Sequence, residues 1–352
     1  RLAAAYYAGA ALLILSTFSS AVLQQRFLQQ EPVIGQGKAR LRQLASVGSP
    51  AYCQQDPGCA EWDFEEVAEL YGASGATFIR TFVEDRHEVS SCAAPRCATG
   101  FWLNSTESFF IAGVEDFPLE VKSRVRATKW EQLHCKRGAF CPFAGTVTDF
   151  PGRLLGPGGE VLEEIPAGEA PVFPIRRWLH ATGIDSLDAA HDKYSYDPNR
   201  TKGPKSFRRK GLELHIIIRW YNPGSFWEHL WGHRALSYDL RVDHVGSATT
   251  REVVQHAFGD EGSLHTRTVR KSGGLSVVVD RDGAAGVFSW SLLLSQVGTF
   301  AALLGLLAAG LDVLWQYVLP LLGIDYTGAV FDTVPKGGVE KVRSGLSVTK
   351  RD

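Results

Sequence analysis

From Gly283 to Leu311 the chain carries no charged residue, and the run then meets Asp312. About 20 apolar residues cross the roughly 30 Å hydrocarbon core of a bilayer, so this stretch spans one with residues to spare. A carboxylate in such a place is costly and is retained where it is paired or functional, which makes Asp312 a candidate for a role inside a helix bundle. A second uncharged stretch, Ala3 to Leu23, is also long enough to span. It competes with a reading as a cleaved signal peptide, for which Ser19, Ser20 and Ala21 would supply the small-residue cleavage site. The apolar segment is, however, longer than the roughly 7–15 residues usual for a signal. With both spans retained, the termini share one side and the long intervening region lies on the other. Lys336, Lys341, Arg343, Lys350 and Arg351 follow the second span and place that shared side in the cytoplasm.

All six cysteines, Cys53, Cys59, Cys92, Cys97, Cys135 and Cys141, fall between the spans. An even count at short spacings fits a disulfide-bonded ectodomain whose connectivity the spacing leaves open. Two sequons, at Asn104 and Asn199, lie in the same region and fit glycosylation of an extracytoplasmic domain. The net charge of −1 provides no basic field for nucleic acid. Membrane lipid is the environment the spans imply.

Between the spans, Glu31 to Leu44 reads as extended, and Ser49 to Gly100 as Cys-, Gly- and Pro-punctuated loop. Ser108 to Val125 alternates well enough for strands, with Pro118 expected at an edge or bulge. Gly152 to Pro171 is a turn-rich connector. Leu212 to Trp220, Ser237 to Val245 and Thr266 to Val279 read as further strands, giving a mainly β ectodomain. The basic run Lys202, Lys205, Arg208, Arg209 and Lys210 reads as a solvated loop. In the second span, Ser295, Gln296 and Thr299 are spaced three and four apart and share a helix face, continued by Ala302, Leu303 and Leu306. Such a polar stripe turns toward another helix or toward water rather than lipid.

Enzyme chemistry is sparse. No nucleophile elbow, phosphate loop or dinucleotide fingerprint is present. His229 and His233 are spaced for a metal on a helix, with His215 or His244 to complete a site. However, Glu228 precedes the first His, which is not the metalloprotease order. They remain weak metal candidates, and no cofactor is expected.

From Arg267 onward, RTVRKSGGLSVVVDRDGAAGVF followed by Gly298, Gly305 and Asp312 resembles the final strand and second transmembrane helix of the ionotropic purinergic receptors, the ATP-gated trimeric cation channels. Glycines at this spacing recur on one helix face and let helices approach closely. The segment FLQQEPVIGQGKARLRQLA after the first span resembles that family's strand bearing two phosphate-binding basic residues, which fall here on Arg40 and Arg42. Glu115-Asp116-Phe117 with Lys122 resembles another binding-site strand, Cys135 and Cys141 a local disulfide, and GLELHIIIRW a buried strand ending in Trp. The sequence departs from the family where its adenine-contacting Thr aligns with Pro118. It departs again where its Asn-Phe-Arg motif has only Thr249-Thr250-Arg251 as a counterpart.

The resemblance implies a trimeric membrane channel with two transmembrane helices flanking a large, mainly β, disulfide-bonded ectodomain. Its divisions would be residues 1–24 (first helix), 25–287 (extracellular ligand-binding domain), 288–323 (second, pore-lining helix) and 324–352 (cytoplasmic tail). As a homotrimer in the plasma membrane it would bind ATP between subunits through Arg40, Arg42, Lys122, Arg251 and Lys271, with Pro118 in the adenine region. Arginine's planar, permanently charged fork suits phosphate. Ser295, Gln296, Thr299, Ala302, Leu303 and Leu306 would line the pore for sodium, calcium and potassium, and Gly298, Gly305 and Asp312 would serve packing and assembly. The alternative is a structural or interaction subunit that kept the fold and lost ATP gating.

Overall fold

In a computed structural model of the chain, the described residues are 2–44, 50–54, 58–70, 76–93, 100–135, 141–189, 206–232, 235–245, 249–257, 264–314 and 317. The chain divides into two compact units, Gln30–Val287 and the pair of terminal segments Arg1–Gln29 with Phe288–Asp352.

The larger unit is built around the strand Leu212–Tyr221. Its alternation is strict: Leu212, Leu214, Ile216, Ile218 and Trp220 are all buried. Burying each such side chain is worth roughly 1.5–3 kcal/mol. This strand pairs antiparallel with Ser237–Val245, with Ile218 opposite Leu240. On its other side it pairs parallel with the long strand Leu264–Phe288, with Leu212 opposite Leu275. These strands belong to an eleven-stranded mixed sheet. A second, four-stranded sheet contains Ile34–Leu41, Pro118–Arg126, Val172–Pro174 and Ala144–Thr146. The buried Thr77 hydroxyl donates to the Ala39 carbonyl at 2.7 Å and ties the two sheets together.

The expected loop between Ser49 and Gly100 instead contains a long strand, Thr77–Ala93, paired antiparallel with Leu264–Phe288. Its first half does not alternate because both faces are covered there. Phe78 and Ile79 are buried as neighbours, and so are Phe82 and Val83. The GPGG turn closes a hairpin between Gly152–Leu155 and Val161–Ile165. Pro118 occupies neither an edge nor a bulge. It opens a strand paired on both sides, a place where a missing N–H costs the ladder least. Disulfides join Cys53 to Cys59 and Cys135 to Cys141 across Cα separations of 5.0 and 5.2 Å. Cys92 lies near the end of Thr77–Ala93, and the expectation for Cys97 falls outside the described residues.

In the other unit, the helix Trp290–Val313 has 24 residues and a mean hydropathy of 1.9 over its most apolar window. At 1.5 Å per residue it is about 36 Å long, enough to cross a bilayer. Among the described residues it is the one helix that meets both length and apolarity for a span. Leu2–Leu23 is also helical. A side chain added at Gly9 would lie 3.6 Å from Leu307, so the two helices meet there. Just beyond them the Ser289 N–H donates to the Phe27 carbonyl at 3.0 Å.

Candidate ligand site and membrane helix

The strand Ile34–Leu41 alternates buried Ala39 and Leu41 with exposed Lys38 and Arg40. Its antiparallel partner sets Lys38 opposite Lys122 and Arg40 opposite Glu120. Directly opposed residues project to the same side of a sheet, so Lys38, Arg40 and Lys122 share one face with Glu120. Arg42 follows the strand, and its guanidinium grips Glu120 in bidentate fashion at 3.0 and 2.8 Å. The Lys122 ammonium lies 3.4 Å from the same carboxylate. Burial pushes the Glu120 carboxyl up, but Arg42 and Lys122 outweigh it and hold it below its ordinary range. Hydrogen bonding to Glu120 in turn raises Arg42. Beside these residues a cleft of about 500 Å³ is lined by Gln36, Lys38, Lys122, Arg124 and Thr148. The expected pair is therefore part of a wider basic face, within which one buried carboxylate already occupies Arg42.

Lys271 lies elsewhere, on Leu264–Phe288. A cleft of about 300 Å³ beside it is lined by Phe82, Glu84, Arg209, Lys210, Thr250, Lys271 and Gly273. It shares no lining residue with the cleft at Lys122. Arg251 does not join Lys271. Register sets Arg251 opposite Ser272, and Glu252 opposite Lys271, so Arg251 projects from the other face of the ladder. There it meets Glu69 at 2.5 Å, and Arg80 binds the same carboxylate oxygen at 2.6 Å. Of the five basic residues expected to converge, three lie on or just beyond the small sheet, with Arg42 and Lys122 paired to Glu120, one lines the separate cleft, and Arg251 is paired to Glu69.

The Glu115-Asp116-Phe117 motif is structural here. Phe117 is buried, and Asp116 pairs with Arg176. Glu115 accepts from Arg208 at 2.6 Å and from the Leu187 N–H at 3.1 Å. Arg208 is 1% exposed, also grips Asp188 at 2.6 and 2.9 Å, and lies 3.6 Å from the Tyr52 ring centre. Burial lowers the Arg208 guanidinium, but Asp188, Tyr52 and Glu115 more than restore it. Hence the basic run is no solvated loop over its described part. Arg208 is a buried anchor, and Arg209 and Lys210 line the cleft with Lys271. Sequence reasoning missed them because a dense basic run looks the same whether or not one member is buried.

On the helix Trp290–Val313, Ser295, Thr299, Ala302, Leu303 and Leu306 are exposed along one side, with Gln296 half-buried. The Thr299 hydroxyl donates to the Ser295 carbonyl at 2.9 Å, which satisfies it within the helix. A side chain at Gly298 or Gly305 would meet nothing within 4 Å among the described residues, and Asp312 is exposed. Pro118 sits in register with Pro174. Asn104 is exposed on Phe101–Ile111, at the irregularity between the pairs of His87 and Glu88, while Asn199 falls outside the described residues. His229 is buried, and His233 falls outside the described residues. His215 contacts Glu213 and Asp280, and register places His244 opposite Leu214, off the face of His215. Among the described residues no group of three or more metal-binding side chains comes together.

This architecture, a disulfide-bonded mixed-sheet domain whose last long strand runs into an apolar helix, matches the fold of a solved P2X receptor channel. The chain is similar to the chicken ATP-gated P2X7 receptor channel solved with the competitive antagonist TNP-ATP. The TM-score is 0.54 at 11% sequence identity, covering 88% of this chain and 98% of that one. An invertebrate P2X receptor from the Gulf Coast tick, solved with ATP and Zn²⁺, matches with a TM-score of 0.48 at 12% identity, covering 88% and 99%. No protein-family model and no curated protein matches the sequence. The likeness is one of fold.

Proposed function

We propose that the chain is one subunit of a homotrimeric plasma-membrane cation channel, opened by extracellular ATP bound between subunits. The carrying observation is that Lys271 and the membrane helix belong to one continuous run, the strand Leu264–Phe288 followed by Trp290–Val313. At about 3.3 Å per residue the strand between Lys271 and Phe288 is at most roughly 55 Å of continuous chain. A ligand that draws on Lys271 therefore acts directly on the segment entering the helix. The separation of the two basic clefts within one chain supports a site whose halves come from adjacent subunits. Arg40, Arg42 and Lys122 would supply one half and Lys271 the other. Both terminal helices would span the membrane with cytoplasmic ends, and Asn104 would carry a glycan outside. The stripe from Ser295 to Leu306 would line the pore, with a small, apolar constriction able to gate by dewetting. Gly298, Gly305 and Asp312 would form the helix contacts. ATP would open the pore only insofar as it binds the open arrangement more tightly than the closed one.

A second reading, a subunit that retains the fold without ATP gating, is favoured by the occupation of Arg42 by Glu120 and of Arg251 by Glu69. Whole-cell recording separates the two. ATP-evoked cation current that is lost in Lys271→Ala supports gating. Absence of current from protein shown at the cell surface supports the second reading.

A further inference from the structure

Arg209 and Lys210 reach the Lys271 cleft because the turn that carries them is fixed on both sides. The residue before them, Arg208, is locked inside by Glu115 and Asp188. Its carbonyl accepts from the buried Thr81 hydroxyl at 2.6 Å, and the same hydroxyl lies 3.1 Å from the Gly273 carbonyl. On the facing strand, a Cβ at Gly273 would come within 2.4 Å of the Arg209 carbonyl oxygen, so only glycine lets the turn lie this close. The Arg209 guanidinium then rests over the Phe82 ring, 5.0 Å from its centre. This contact fixes a cation without neutralising it.

Two carboxylates stand near these charges. Glu84 and Glu252 stand opposite Lys271 in register. Arg86 holds Glu84 at 2.7 Å. Among the described residues, Lys271, Arg209 and Lys210 make no ion pair. Three cations without an ion pair among the described residues therefore border a cleft of about 300 Å³, which Glu84 and Thr250 also line. That volume is at the lower end for small-molecule sites, suited to a chain of phosphates rather than a whole nucleotide.

We infer that Arg209 and Lys210 are phosphate contacts that act together with Lys271, forming a polyphosphate-binding cleft within the single chain. The inference takes Lys271 as a phosphate contact from the proposed function, but it does not depend on channel opening. It also places the better-prepared half of the site here rather than at Arg40 and Arg42.

The test titrates the full-length protein in detergent with inorganic tripolyphosphate and, separately, with ATP. Losing one charge-assisted hydrogen bond is expected to weaken tripolyphosphate binding about ten-fold in Arg209→Gln and in Lys210→Gln, while Arg209→Lys stays within about three-fold. Thermal midpoints near the wild-type value show that a variant is folded, and Lys210→Gln carries the test if Arg209→Gln is not. Failure of the wild type to bind tripolyphosphate, or glutamine variants binding within about two-fold of it, overturns the inference. Binding of tripolyphosphate but not ATP identifies the ligand as a bare polyphosphate and leaves the cleft standing while the ATP reading falls. Conversely, ATP currents abolished by Lys271→Ala but unchanged in Arg209→Gln and Lys210→Gln keep the proposed function and remove these residues from it.

Discussion

Replacing Arg208 by methionine keeps most of the side-chain volume and removes a charge that is 1% exposed. The variant loses the bond to Glu115 at 2.6 Å, the paired bonds to Asp188 at 2.6 and 2.9 Å, and the stacking on Tyr52 at 3.6 Å. The two carboxylates respond differently. The Asp188 side chain is 48% exposed and rehydrates, whereas that of Glu115 is 19% exposed and keeps only the Leu187 N–H and the weak Ser186 hydroxyl contact. Breaking a buried pair by removing one partner costs about 3–5 kcal/mol. Because Asp188 recovers water, the lower end, about 3 kcal/mol, is expected. For a domain of this size that lowers the thermal midpoint by about 6–10 °C, read by near-ultraviolet circular dichroism of the full chain in detergent. Adding Glu115→Gln removes the stranded charge and should restore about 1–2 kcal/mol. A drop of less than about 2 °C in Arg208→Met, or no recovery in the double variant, would refute the view that this network anchors the turn.

Glu120→Gln releases Arg42 and Lys122, and is expected to tighten tripolyphosphate binding by about three- to ten-fold in the same titration. Unchanged or weaker binding would show that the carboxylate organises those cations rather than competing for them. The same residue sets a pH dependence. The Glu120 carboxyl is held below its ordinary 4.5, so its contribution is complete above that value and is lost as pH falls through the lower folded value. Below about pH 4.5 the wild type should lose stability more steeply than Glu120→Gln, and parallel acid-unfolding curves would contradict this. Gly152→Ala drives a methyl to 2.2 Å from the Tyr238 ring and should cost about 1–3 kcal/mol in denaturant unfolding. A neutral result would mean that the ring shifts freely.

Much of the fold was legible where burial is one-sided or a long run is uncharged. The strand Leu212–Tyr221 shows its core in its alternation, and Trp290–Val313 shows its helix in its uncharged, apolar length. Thr77–Ala93 was hidden because both faces of its first half are covered, which erases the alternation that marks a strand. The candidate site was legible in part. Lys271 and the basic residues of the small sheet stand out as cations in sequence, but whether a cation is free depends on partners distant in sequence. Glu120 lies far from Arg42 along the chain, and Glu69 far from Arg251. Arg208, Arg209 and Lys210 are adjacent in a single basic run, yet one is buried and two face the cleft. That division is made by Asp188, Glu115 and Gly273, none of which marks itself in sequence.

ATP-evoked current through the homomeric protein, with and without Lys271, bears on ligand, site and gate together. Whole-cell recording should show inward cation current on application of ATP, abolished by Lys271→Ala and shifted to higher ATP concentration by Arg40→Ala and Arg42→Ala. Surface-expressed protein that gives no ATP current, or robust current indifferent to all three substitutions, would contradict the proposal.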